Sequence, residues 1–432
     1  MTKRLALCGY ILVFANLSAS FTWAADSHEK SAEKQKIAFS DLSKIVMEKN
    51  ENVEAANLHT TAQKLRTGRL GRSFMPQLSA TAGAEQFRNG TSDFQPQDYW
   101  KIEGTFNLYR GGRDRLEDKI RSTNLNLSRT LFSAVFQKEL KEARLAYWNI
   151  LAFSRQIADR NEALKINETN LRSAKRRAGA GLTTTADAKQ FELHRISLNR
   201  EIAKLKLEMD LSRNQLALAL GLNEHKNIEV VGEFPEVSSK DFDIPKALTD
   251  KHLTVKLQKD LETIEQLKAN QSSAWWQPRV DLYADVGLPA LSDETDRAVG
   301  KRIEQTAGIR FTVDLGQGFE DHREASARQA EAASFRKKAA HAVREGEALD
   351  HELKHDLSVL AELIGSADQD VQVAESFLKL TESEFNRGVK NGPDLLEAVQ
   401  KYFDFRDKRT EYYRDFFTTK AELESLSLLD QE

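Results

Sequence analysis

From Leu78 onward apolar and polar residues take turns: Leu78, Ala80, Ala82 and Ala84 alternate with Ser79, Thr81, Gly83 and Glu85. A period of two places the two sets on opposite faces of an extended strand. The alternation recurs three times. Trp100, Ile102, Gly104, Phe106 and Leu108 stand against Lys101, Glu103, Thr105 and Asn107; Val280, Leu282, Ala284 and Val286 against Asp281, Tyr283 and Asp285; and Ile309, Phe311, Val313 and Leu315 against Arg310, Thr312 and Asp314. Four amphipathic strands are predicted, at about 76–88, 98–109, 278–288 and 305–316. Elsewhere the period changes. Leu353, Leu357, Leu360, Ile364, Ala367, Val371, Ala374 and Leu378 follow steps of four and three, the spacing of a coiled-coil seam. Ala143, Ile150, Ile157, Leu164 and Leu171 recur every seven, as do Ile202, Met209 and Leu216. No proline falls within 97–234 or 290–392, so the strongest helix breaker is missing there. Long helices are predicted at about 113–178, 184–221, 319–386 and 393–428. The first would extend roughly 100 Å, at about 1.5 Å per residue.

These elements come in two copies. Leu108, Gly111, Gly181 and Asp187 are matched by Leu315, Gly318, Gly388 and Asp394 at an offset of 207, while Pro76 and Pro278 lie 202 apart. The copies therefore differ by a few residues within the hairpin loop. The first unit takes 25–222 and the second 246–432. The stretch 223–245, of mixed composition, reads as a linker packed outside the helices near their middle. Polar loops from Asn89 to Asp98 and from Pro289 to Arg302 join the strands of each unit.

Composition and charge narrow the class. With 30% charged residues, the 432-residue chain fits long solvated helices better than one compact core. Lys3 and Arg4, an apolar run from Leu5 to Phe14 and the small residues near Ala24 predict an export signal over 1–24. Its removal takes away the only cysteine, Cys8, and moves the formal charge from −3 to −5, so the mature chain has no disulfide. Leu7, bulky beside Cys8, argues against a lipoprotein signal. Beyond residue 24 no apolar run approaches the 18 or so residues, roughly, that a spanning helix requires. A membrane crossing would therefore use the strands, whose length approaches the roughly 9 to 11 residues of a tilted transmembrane strand. Phe74, Tyr99, Trp100, Trp275 and Trp276 sit at strand ends, as in an interfacial girdle. Four strands cannot close a barrel alone, so closure would need several copies of the chain.

The duplicated order of elements, the strand exits Leu108-Tyr109-Arg110-Gly111-Gly112 and Leu315-Gly316-Gln317-Gly318, and the helix returns around Gly181 and Gly388 carry a family resemblance. Over essentially its whole mature length, the chain resembles TolC-type outer-membrane efflux proteins. The resemblance implies an α+β membrane protein. Three identical chains would pool twelve strands into one barrel in outer-membrane lipid, continued by a helical tunnel into the periplasm. It implies a passive exit duct for tripartite efflux or type I secretion, without catalysis or cofactor. The implied partners are a periplasmic adaptor (membrane fusion protein) and an inner-membrane transporter of RND, ABC or MFS type. Gly179 and Gly181, and Gly388, Gly392 and Pro393, become the periplasmic tips. Asp394 and Glu397 match the acidic constriction of the family, and Asp187 and Lys390 its tip gate pair. Lys390 stands where arginine is more typical and Phe385 where tyrosine is, which departs from a polar gate network. On physical grounds alone, Asp394 and Glu397 equally suit the first turn of a helix, where acids stabilise it by about 0.3 to 1 kcal/mol. Asp187 and Lys390 equally suit a modest surface ion pair.

Other classes leave weaker marks. Heptads alone fit an exported periplasmic coiled-coil adaptor or structural protein, but the strands and the duplication argue against it. His351-Glu352-Leu353-Lys354-His355 satisfies the HExxH pattern of zinc proteases, yet Leu353 occupies the heptad seam and no third ligand follows at a recognisable spacing. Arg172, Lys175, Arg176 and Arg177 end the first long helix, where cations favour its dipole; a nucleic-acid partner does not follow for an exported acidic chain.

Overall fold

The computed structural model describes residues 35–87, 95–181, 185–223, 228–237, 252–288, 303–313 and 318–426. The predicted export signal, 1–24, lies outside them. Each half of the chain lays down a helix, two strands, a long helix and a return helix; α1 and α3 have no counterpart among the described residues of the second half. The first runs β1 (Gln35–Ile37), α1 (Leu42–Lys49), α2 (Glu51–Arg66), α3 (Arg69–Ser73), β2 (Gln77–Phe87), β3 (Gln95–Arg110), α4 (Arg113–Gly179) and α5 (Thr185–Leu220). After β4 (Ile228–Val230) the second runs α6 (Leu253–Ser273), β5 (Arg279–Leu288), β6 (Glu304–Thr312), α7 (Gly318–Asn386) and α8 (Gly392–Ser425). The second predicted strand starts earlier than its alternation indicates: β3 already includes Gln95–Asp98, read from sequence as loop and held in the strand by pairing with Ala84–Phe87 of β2. Outside the described residues lie 88, the last position of the first predicted strand, 89–94 and 289–302 of the two strand loops, and 314–316, the end of the fourth predicted strand.

β2, β3, β5 and β6 form one antiparallel sheet in that order. The register aligns like with like. Trp100 faces Leu288, Ile102 faces Val286, Gly104 faces Ala284 and Phe106 faces Leu282, while Glu103 faces Asp285 and Asn107 faces Asp281. Leu282 in turn faces Ile309, and Val280 faces Phe311. A bulge between Asn107 and Tyr109 ends the strict pairing where the sheet meets the helices. There buried Asn107 donates through Nδ2 to Ser73 O at 3.3 Å and to Asp114 Oδ2 at 2.8 Å, tying α3, β3 and α4 together.

α4 and α7, of 67 and 69 residues, run the length of the stalk. Near the sheet they pack with α2 and α6, and away from it with α5 and α8. The polypeptide reverses at Gly181 and Gly388, whose φ of 73° and 81° are left-handed values that a side chain would oppose. Two cores result. One is at the stalk's middle, where β1 pairs in parallel with β4 and the end of the first unit folds back on α4. Trp148 is its centre, with ring centroids 4.6 Å from Phe417, 4.9 Å from Phe39 and 5.6 Å from Phe234. The other, at the turns, gathers Phe191, Phe385, Leu395 and Phe403. Of the predicted linker, 228–237 packs against the stalk: Tyr147 Oη donates to Val231 O at 2.9 Å. Among the described residues no helix is long and apolar enough to cross a membrane.

Candidate functional site

The apolar face of the sheet is continuous across four strands and, among the described residues, uncovered. Leu78 is 78% exposed and Phe311 72%, and Ile102, Leu282 and Ile309 are exposed beside them. An uncovered apolar sheet of this extent cannot face water at equilibrium without cost, at roughly 25 cal/mol per Å2. Aromatic residues bracket it. Trp100 lies at the loop end, opposite Leu288. Trp276, 60% exposed, lies at the helix end with exposed Phe74, Met75 and Tyr109. Trp275 is half-buried there, and its carbonyl accepts from Arg113 Nη2 at 3.3 Å. The opposite face is polar. Lys101 Nζ reaches Glu103 at 3.1 Å and Asp285 at 3.5 Å, and the Arg310 guanidinium stands over Tyr283 at 4.4 Å. β2 and β6 are the sheet's edges, and among the described residues neither has a second neighbour.

Among the described residues the stalk has exposed apolar edges too. On α5, Leu193, Ile196, Leu207 and Leu211 are exposed; on α7, Phe377, Val373, Leu363 and Val359 are. Each set keeps heptad steps, and taken in that order the pairs lie within one residue of equal distance from Gly181 and Gly388. Exposed Arg200 and Asp370 fall within the two stripes at matching levels.

At the turns the sequence-predicted residues come together in part. Asn391 caps α8: its Oδ1 accepts from Asp394 N at 3.1 Å, and Asp394 Oδ2 accepts from Asn391 N at 3.3 Å, a capping box with Pro393 in the first turn. Asp394 thus serves the helix start. Glu397 is exposed and pairs with Lys401 at 2.7 Å on its own helix. Asp187 is close to the second hairpin, its side-chain carbons 3.2 Å from where a Cβ on Gly392 would stand. Lys390 is exposed, and among the described residues no ion pair joins it to Asp187. Gly179 ends α4 in open space. Glu192, held by Lys189 and Lys175, has its carboxyl drawn down to about 2.

A contact that sequence reasoning missed joins the hairpins here. Arg177 donates through Nη1 to Phe385 O at 2.8 Å, capping the end of α7, and its guanidinium lies 4.8 Å from the Phe385 ring. The cluster of cations at the end of α4 was the available signal. It pointed to that helix's own dipole, whereas Arg177 serves the neighbouring helix. His351 and His355 are exposed on α7, and among the described residues no three His, Cys, Asp or Glu side chains gather as a metal site.

No protein-family profile and no curated protein sequence matches the chain. Solved structures do. The outer membrane protein VceC from Vibrio cholerae aligns at a TM-score of 0.75 and 15% identity, covering 91% of this chain and 97% of that one. The Campylobacter jejuni CmeC outer membrane channel aligns at 0.75 and 12% identity, with 91% and 87% covered. The open state of the Neisseria gonorrhoeae MtrE outer membrane channel aligns at 0.66 and 14% identity, with 89% and 88% covered. The fold is that of the TolC-type outer-membrane channels which the sequence resembles.

Proposed function

We propose that this chain is one third of a passive outer-membrane exit duct, closed by joining β2 of one copy to β6 of the next and α5 of one to α7 of the next. The observation that carries the reading is the pairing of an uncovered apolar sheet with two free strand edges. An open edge is a template for another strand, and lipid is the partner that an apolar face of this height fits. Head-to-tail joining of unlike edges makes a ring when the rotation closes. Three copies suit a conduit better than two. Eight strands enclose a space that side chains fill, whereas twelve leave room for water behind the polar face. The apolar stripes on α5 and α7, level with one another and with Arg200 opposite Asp370, support the same joint in the stalk.

In this reading the sheet lies in the outer membrane and the stalk reaches into the periplasm. A periplasmic adaptor and an inner-membrane transporter supply energy and substrate choice, for efflux or for type I secretion. Asp394 and Glu397, three copies of each around one axis, form a negative constriction at the turns, and Asp187 meets Lys390 across neighbouring coils there. Nothing in the duct's action requires a catalytic residue.

Fractionation of a producing cell tests the reading. The mature chain should be recovered from the outer membrane as an oligomer that dissociates to 432-residue-derived monomer on heating in detergent. Recovery as a soluble monomer would favour the periplasmic coiled-coil alternative.

A further inference from the structure

Along the stalk α4, α5 and α8 meet around a charged cluster. α4 and α8 run antiparallel, so their ion pairs keep one register. Arg144 meets Glu424 at 2.5 Å, Arg160 meets Asp407, and Arg406 meets Asp159 and, at 2.7 Å, Glu162. Arg160 also reaches Glu201 of α5 at 2.8 Å. The side chain of Asp159 is 1% exposed, and those of Arg160 and Asp407 are 15%. Satisfaction is incomplete: Asp159 Oδ2, Asp407 Oδ1 and His194 Nε2 are buried without a hydrogen-bond partner among the described residues. Charge is unbalanced around Asp407: of the groups acting on it most strongly, Arg160 of α4 is a cation, while Asp159 of α4 and Asp404 and Glu411 of its own helix are acids. Asp159 is faced by Arg406, Arg155 and Arg160 against Glu162. From α5, His194 faces Glu201, Arg160 and Asp404. A buried carboxylate so placed is costly to ionise.

We propose that Asp407 is a proton-controlled clasp between the two helical hairpins, seated tightly in the α4–α8 seam when protonated and loosening the seam when ionised. Burial pushes its carboxyl up to about 7, with Asp159, Asp404 and Glu411 adding to the rise and Arg160 opposing it. In an opened, hydrated seam the group would return to the ordinary aspartate range, about 3.9. Between those two values the packed seam holds a proton that the open one lacks. The extra stability is complete below pH about 4, falls as pH rises, and is gone above about 7. His194, lowered by burial, acts with the opposite sign and only below its own ordinary range, so it does not account for a change above pH 6.5.

Hydrogen exchange of the purified full-length oligomer, corrected for the intrinsic pH dependence of amide exchange, reads this directly in peptides covering 156–163 and 403–410. Wild-type protection should fall about tenfold from pH 6 to pH 8. Asp407→Asn should remove that fall. Asp404→Asn should keep it with the midpoint moved lower, because one of the acids that raise Asp407 is gone. Equal wild-type protection at both pH values overturns the proposal, as does a tenfold fall that survives in Asp407→Asn or a midpoint left unmoved by Asp404→Asn. The readout is opening of the seam in purified protein, and it is independent of whether the chain conducts.

Discussion

Asn391 and Asp394 exchange hydrogen bonds at the start of α8, so a carboxylate that a ring of three would aim down the axis is also part of a helix cap. The two roles separate under substitution. Asn391→Ala should cost about 0.5 to 2 kcal/mol, read as a lower midpoint of thermal unfolding, and leave ion selectivity unchanged. Asp394→Ala with Glu397→Ala should weaken cation preference in planar bilayers, measured as a smaller reversal potential in a salt gradient; an unchanged potential would remove both residues from the constriction. Trp148 is a different kind of residue, buried in the core at the stalk's middle. Its ring lies among Phe39, Phe234 and Phe417, and Trp148→Ala should cost about 3 to 5 kcal/mol in the same unfolding measurement. At this scale the sequence was legible where chemistry is local, as in the glycines of the two returns. It was not legible where a side chain answers to a distant one. Arg160 and Asp407 lie 247 residues apart, and only the antiparallel register of α4 against α8 brings them together.

Elements were read more completely than residues, because a period of two or of seven repeats within one segment and needs no knowledge of its neighbours. The apolar alternation of Trp100 to Phe106 became one face of β3, and the register matched it to the same face of β5; the predicted continuation to Leu108 is broken by the bulge, which sets Tyr109 opposite Val280 instead. The segment 228–237 carried no period, so its pairing with β1 and the stacking of Phe234 on Trp148 could be found only in three dimensions. The α5 and α7 stripes look like part of the hairpin seams in sequence, since both obey the same spacing. Only their exposure in the folded chain marks them as edges. A sharp consequence follows for these helices. Leu207→Asp with Leu211→Asp should leave helix content by circular dichroism unchanged, because neither side chain is buried within the chain, yet shift the protein from oligomer to monomer in detergent. Loss of helix content would instead make them part of the chain's own core.

At the scale of the whole molecule, the account depends on unlike edges meeting and on the ring closing after three chains. The edges are seen in a single copy, so their joining is the step to measure. Cys8, the only cysteine of the sequence, lies in the predicted export signal, and Leu207→Cys with Leu363→Cys would place one thiol on each stalk edge at matching levels. A short bifunctional thiol reagent applied to outer membranes should then give covalent dimer and trimer and stop there. Each single-cysteine chain should give neither. A ladder that continues past three, or no cross-linked species at all, would contradict the closed trimeric duct.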